Sequence, residues 1–331
     1  MRHPRPIILD CDPGIDDAMA LYFALAHPAI DLRGITTTFG NVAVAQATCN
    51  ALYLCALAGR RIPVCEGAPA PLHQRPVPAN PAVHGADGLG NLSGRLAHGD
   101  APDARPAARF IVEMAQAQPG ELTLVAVGPL GNLCQALRLE PRLPALLREV
   151  ILMGGSITEP GNVSPVAEAN IWHDPHAADT VFTAGFQLTM VGLDVTHRMV
   201  MPLALFERIA ARQQHPATDT LLQAVRHYAG FYGGLYPALA RTQACFGHDV
   251  LALVYLLHPE LFSTETGRVR VVTEGLAQGQ TIMNRRPALA YVQAGWGEAL
   301  PLSSACLQVD AAACLDLFER TLLQNWLAAP A

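Results

Sequence analysis

The sequence predicts an α/β fold, a mostly parallel, doubly wound (Rossmann-like) sheet with added C-terminal helices and short antiparallel strands. Near-continuous apolar runs alternate with alanine- and leucine-rich helical stretches through the first two thirds of the chain. Most of these runs end in a turn carrying Gly, Asn or Asp. The 331 residues are 51% hydrophobic, enough for one large core, and no linker or internal repeat divides them. One domain over residues 1–331 is therefore expected.

Pro6-Ile7-Ile8-Leu9 reads as a first buried strand and Ala18 to Leu25 as the helix after it. Ile35 to Phe39 is a second strand ending at Gly40-Asn41, and a helix follows to Gly59. Ile62 to Cys65 is a third strand, with further strands at 122–127, 150–153 and 187–191. Residues 66–103, rich in proline, glycine and histidine, are too long for an ordinary connection and are expected to act as a lid. A helical region spans about 200–258 and includes Tyr228, Tyr232 and Tyr236. Short strands are expected at Arg268 to Thr273, Ala288 to Gln293 and Leu307 to Val309, before an amphipathic helix from Leu315 to Trp326.

All 22 basic residues are arginine, so lysine-based chemistry (Schiff bases, Walker-type phosphate loops, a lysine general base) is absent. A net charge of −6 without a basic stretch argues against nucleic acid as a partner. Eight singly scattered cysteines show no zinc-like pairing and fit buried thiols in a reducing compartment. No apolar stretch is long enough to span a bilayer, so a cytoplasmic protein without a membrane partner is expected.

The chemistry concentrates in Asp10-Cys11-Asp12-Pro13-Gly14-Ile15-Asp16-Asp17, between the first strand and its helix. Open α/β sheets place ligands at the carboxyl ends of their strands. Carboxylates this crowded repel unless a cation or a shared proton relieves them, and a hard divalent ion does so well. An N-cap would explain Asp16 or Asp17 singly. An EF-hand fails, because loop position twelve counted from Asp10 is Leu21 rather than Glu. A Mg²⁺-dependent phosphatase with Asp10 as nucleophile remains an alternative, as does a non-catalytic riboside-binding protein. Other strand ends carry Asn41, Val127-Gly128-Pro129-Leu130-Gly131-Asn132 and Met153-Gly154-Gly155; Asn162, Glu168-Ala169-Asn170 and His248-Asp249 follow. Asn132 alone reads as a turn hydrogen-bonder, and His248-Asp249 alone as a helix cap.

Taken in order with His84-Gly85-Ala86-Asp87-Gly88-Leu89-Gly90, these motifs make the chain resemble the inosine-uridine-preferring nucleoside hydrolase family from end to end. The resemblance implies Ca²⁺-dependent hydrolysis of the N-glycosidic bond of ribonucleosides. The ion would be held by Asp12, Asp17, Asp249 and the Val127 carbonyl. Asp16, Asn170 and Asp249 would grip the 2′- and 3′-hydroxyls, and Asn162 and Glu168, with Met153, the 5′-hydroxyl. Asn41 is implied as a ribose-side contact, His84 as a residue of the closing loop, and Tyr232 and Tyr236 as base contacts. Asp12 would take the proton of the attacking water and His248 would assist departure of the base. A homo-oligomer, dimer or tetramer, is also implied. Two positions depart from the family pattern: Val127 replaces Thr, and Ala169 removes an aromatic ring from the pocket wall.

Overall fold

In the computed structural model, residues 3–95, 99–286, 289, 291–293, 295–297, 299–324 and 326–327 are described. The strands are β1 (Arg5–Cys11), β2 (Ile30–Thr37), β3 (Val64–Glu66), β4 (Thr123–Ala126), β5 (Glu149–Met153), β6 (Leu188–Val191), β7 (Val200–Pro202), β8 (Ala244–Phe246), β9 (Phe262–Val271), β10 (Thr281–Asn284) and β11 (Ser303–Val309). Nine form one sheet in the order β10-β9-β11-β6-β5-β4-β1-β2-β3. From β3 to β11 every pairing is parallel, while β9 runs antiparallel to both β11 and β10. The expected doubly wound sheet with late antiparallel strands is what forms.

Alternation along β1 shows why these strands read as continuous apolar runs. Ile7, Leu9 and Cys11 belong to one core layer, with the helices Ile15–Ala26, Val250–Leu257 and Ala311–Leu322. Ile8 belongs to the other, with the helices Ala107–Ala117, Gly131–Leu139 and Pro175–Thr183. A strand covered on both faces has no polar side to show. Each large apolar side chain buried here contributes about 1.5–3 kcal/mol.

Strand order places the site. The chain steps from β1 to β2 and β3 on one side, then crosses back to β4, β5 and β6 on the other. The crevice lies where that order reverses, at the carboxyl ends of β1 and β4. Asp10 and Cys11 close β1, and Val127 directly follows β4.

Several expectations are corrected. The 200–258 region is not all helix: β7 and β8 form a separate two-stranded antiparallel ribbon that leads into His248 and Asp249. Of the strand expected at 288–293, residues 288 and 290 lie outside the described residues, and the described ones are not strand. The strand there is β10, which bonds with the Arg268–Val271 half of β9. The C-terminal helix is Ala311–Leu322; residue 325 of the expected span lies outside the described residues, as do 96–98 of the expected lid.

The outer strands also reach the crevice. Gln280 bridges to Ala167, and the Thr281 hydroxyl accepts the Ser156 N–H at 2.9 Å and donates to its carbonyl at 2.5 Å. A Cβ on Gly279, at φ +83°, would lie 2.9 Å from the Cα of Trp172.

Gly34 on β2 faces Phe110, whose ring carbons would sit 2.4 Å from an added Cβ. That ring is buried in the core. Gly34→Ala is therefore expected to destabilise the protein by about 1–3 kcal/mol through overpacking. Urea denaturation at equilibrium measures this, and unchanged stability would show that Phe110 is free to move.

Candidate active site

The aspartate loop is tied into a tight turn by its own side chains. Asp17 accepts the Gly14 N–H at 2.9 Å, reaching back from the first turn of the helix to its N-cap. Its other oxygen accepts the Asp12 N–H at 3.1 Å. Asn41, just beyond β2, donates its side-chain amide to Asp17 at 3.0 Å and its backbone N–H to Asp12 Oδ2 at 2.6 Å. The bland capping role of Asp17 is thus real, and it does not consume the loop. Asp12 Oδ1 and Asp16 Oδ1 are buried without a hydrogen-bond partner. Glycines make space for Asp12: a Cβ on Gly40 or Gly128 would lie 2.0 or 2.7 Å from its carboxylate oxygens.

Asp249 joins this loop from β8. It occupies the N-cap position of the helix Val250–Leu257, yet its side chain makes no capping bond. One carboxylate oxygen each from Asp16, Asp17 and Asp249 lie within 4.8 Å of one another, all buried, a group able to hold a metal ion. Asp12 falls outside that trio, although its charge acts on them. Burial, followed by the charge of Asp17, raises Asp16 to about 8. Burial raises Asp17 to about 6, against the pull of its hydrogen bonds. Asp12 and Asp249 are pushed well above the carboxylate range by burial and then by their acidic neighbours.

Asp10 stands apart. Thr36 and Asn132 donate to its Oδ1 at 2.5 and 2.7 Å, while burial raises it to about 6. Asn132 also donates to the Thr37 carbonyl and accepts the Ala68 N–H, so it fastens three segments beneath the loop. Asp10 is fully buried and its Oδ1 is held by Thr36 and Asn132, so it ties strands together beneath the loop.

Above the loop lies a cavity of about 320 Å³. Asp16 and Asp249 line it with Asn41, His84, Val127, Met153, Asn162, Glu168, Asn170, Tyr232, Tyr236 and His248. Every expected site residue except the buried Asp12 and Asp17 therefore forms its wall. The Asn170 amide donates to the carbonyls of Val127 at 3.0 Å and Met153 at 3.2 Å. Glu168 caps the helix Ala169–His173, accepting the N–H groups of Asn170, Ile171 and Gly155. Asn162 Oδ1 accepts the Ala169 N–H at 3.0 Å. Ala169 leaves the wall without a ring at its own position, but Trp172 lines the cavity one turn later.

The opposite wall is aromatic. His248 bonds through Nδ1 to the Thr196 hydroxyl at 2.8 Å and through Nε2 to the Tyr232 hydroxyl at 2.9 Å. Tyr232 meets the Tyr228 hydroxyl at 3.4 Å, and Tyr228 donates to Asp16 at 3.2 Å. A continuous chain thus joins the carboxylate cluster to His248. Burial, reinforced by His197 and His84, holds His248 well below the ordinary histidine value. His84 accepts the Ile15 N–H at 3.1 Å, stacks on Tyr228, and is lowered to about 3, mainly by burial. Tyr236 is 38% exposed at the rim. The sequence did not mark Tyr228, Thr196, His197 or Trp172 as site residues. Only Tyr228 carried a signal, one helical turn before Tyr232 on the same face.

Comparison with known proteins follows the same geometry. Residues 7–316 match the inosine-uridine preferring nucleoside hydrolase family. A probable uridine nucleosidase 2 of Arabidopsis thaliana is 36% identical over 97% of this chain and 98% of its own. An inosine-uridine preferring nucleoside hydrolase of Leishmania major is 38% identical, over 86% of this chain and 88% of its own. Among solved structures, a plant nucleoside hydrolase superposes with a TM-score of 0.89 at 35% identity, covering 97% of this chain and 99% of that one. Likeness in sequence and likeness in backbone thus run over nearly the same span, and the chain belongs to the inosine-uridine preferring nucleoside hydrolase family, enzymes that hydrolyse N-glycosyl bonds.

Proposed function

We propose that this ribonucleoside hydrolase is calcium-dependent, that Asp12 takes the proton of the attacking water and that His248 assists departure of the base. The observation behind this reading is the pair of buried, partnerless oxygens, Asp12 Oδ1 and Asp16 Oδ1, in a cluster of oxygen donors that repel one another. A hard cation satisfies such a set. Asp12, Asp17, Asp249 and the Val127 carbonyl would hold it, with Asp16 turned to the ribose. When bound there, calcium supplies the positive charge that relieves the carboxylates and makes a nearby water more acidic.

The remaining work falls to side chains. Asp12 Oδ1 accepts the proton of the attacking water. Asp16, Asn170 and Asp249 on one side of the sugar, and Asn162, Glu168 and Met153 on the other, fix the ribose while positive charge develops at C1′. Asn41 holds Asp12 and Asp17 in place from the ribose side. Burial keeps His248 neutral, so the departing base draws a hydrogen bond from the His248–Tyr232 pair rather than a proton from imidazolium. Tyr236 and the His84 loop enclose the base, and attack by one water inverts C1′. Relatives named uridine nucleosidase make uridine the first substrate to assay. The same reading takes the chain as one catalytic domain, assembling as a homo-oligomer in a reducing cytoplasm; its eight cysteines are all free.

Asp12→Asn should lower kcat on uridine by about 10²–10⁴-fold. Steady-state release of uracil tests this, and near-normal turnover would remove Asp12 as the base. His248→Ala should depress kcat/KM for uridine far more than for nitrophenyl riboside, whose leaving group needs no help. Equal losses on both substrates would end the leaving-group role. Chelation should abolish activity and added calcium restore it; full activity in excess chelator counts against the metal.

The cluster also sets a pH dependence. Asp16 titrates near 8 in the fold against 3.8 as its ordinary value, so across pH 6.5–8 the folded state binds more protons than the unfolded. Stability of the chelated protein should therefore fall as pH rises through that window, by at most about 1.4 kcal/mol per unit for each such group. His84 and His248, both lowered, are neutral in the fold there and titrate chiefly below it. Calcium should flatten the slope, as urea midpoints at pH 6.5 and 8 will show.

A further inference from the structure

The His84 segment is not a loose cover but is docked on the aspartate loop at three points. Asn50, fully buried on the helix Val44–Leu57, donates one side-chain hydrogen to the Pro13 carbonyl at 2.8 Å and the other to the Asp87 carbonyl at 2.9 Å. Its oxygen is taken by Gln46, which fixes the amide's orientation. The Ile15 N–H reaches His84 at 3.1 Å. A Cβ on Gly88 would lie 2.7 Å from the Asn50 amide and 3.1 Å from the Pro13 carbonyl. All three contacts fall on the backbone of residues 13–15, the turn between Asp12 and Asp16.

The segment is itself a rigid knot. Asp87 accepts the N–H groups of Leu89, Asn91 and Leu92 at 2.8–3.0 Å and pairs with Arg95 at 3.3 Å. Any shift of the 13–15 turn must therefore be passed to residues 84–92 as a unit, or break these bonds.

We propose that Asn50 is a positioning residue that couples occupation of the carboxylate cluster to the placement of the His84 wall. The inference rests on the metal reading above. Ordering the turn around a cation orders the wall, and by thermodynamic reciprocity loosening the wall weakens the hold on the cation. Asn50 is the natural coupler, since its two hydrogens are shared between the two segments and no water reaches it.

Hydrogen exchange of the full chain, with and without calcium, reads the coupling. In the wild type, calcium should slow exchange of amides 84–92 by about tenfold. Asn50→Ala should lose that protection while calorimetry still registers calcium binding. Asp87→Ala, at a side chain 24% exposed and outside the turn, is the second variant should Asn50→Ala fail to fold. It should weaken calcium binding about five- to tenfold although it touches no carboxylate of the cluster. If calorimetry finds no calcium binding to the wild type, the metal reading falls and this inference with it. If calcium binds but leaves 84–92 unchanged, or Asn50→Ala keeps the protection, or Asp87→Ala binds with wild-type affinity, the inference alone is overturned.

Discussion

Mutual repulsion among Asp12, Asp16, Asp17 and Asp249, buried together at the floor of the cavity, is the constraint on which this structure turns. The charges are forced together by topology: β1 and β4 part at the reversal of strand order, and the short β7–β8 ribbon delivers Asp249 to the same gap. Left alone, such a cluster would take up protons, and the raised carboxylates record that tendency. The fold offsets part of the repulsion with donors from Asn41 and the loop backbone. It leaves Asp12 Oδ1 and Asp16 Oδ1 without a partner, in a cluster able to hold a metal ion.

Rigidity beneath the cluster comes from a second polar network with a different purpose. Asp10, Thr36 and Asn132 are fully buried and join β1, β2 and the turn after β3. Only the residues above them meet the cavity. One eight-residue motif thus splits by depth: Asp10 holds strands, Asp17 holds the turn, and Asp16 faces the substrate space. Neutral His248 fits the same economy of charge, since an imidazolium so deeply buried would need a carboxylate partner that the Thr196–His248–Tyr232 chain does not offer.

The sheet was legible because parallel strands buried on both faces leave unbroken apolar runs, as in β1 and β5. The carboxylate motif was legible because so many acids rarely crowd one turn. Legibility failed where elements were too short or lay at an edge. β7 and β8 have three residues each, too few for any period to register. β10 carries Thr281, Ile282, Met283 and Asn284, whose mixed pattern resembles a loop until β9 lies beside it. Tyr228 was noted on its helix but not assigned to the site, because a helical tyrosine is usually core, and only the fold brings its hydroxyl to Asp16. Asp10 read like a nucleophile because spacing carries no information about depth.

The hairpin of β9 and β10 gives the fold an unusual division of tolerance. Residues 279–281 back the segment that carries Ser156, Ala167 and Trp172, so the rim of the sheet acts as a buttress for the Trp172 wall of the cavity. A few positions farther along, the chain bears exposed Leu289, Tyr291 and Val292 and has no such duty among the described residues. A single methyl group added at Gly279 would therefore be felt in the active-site cleft, through Trp172 and Ala167.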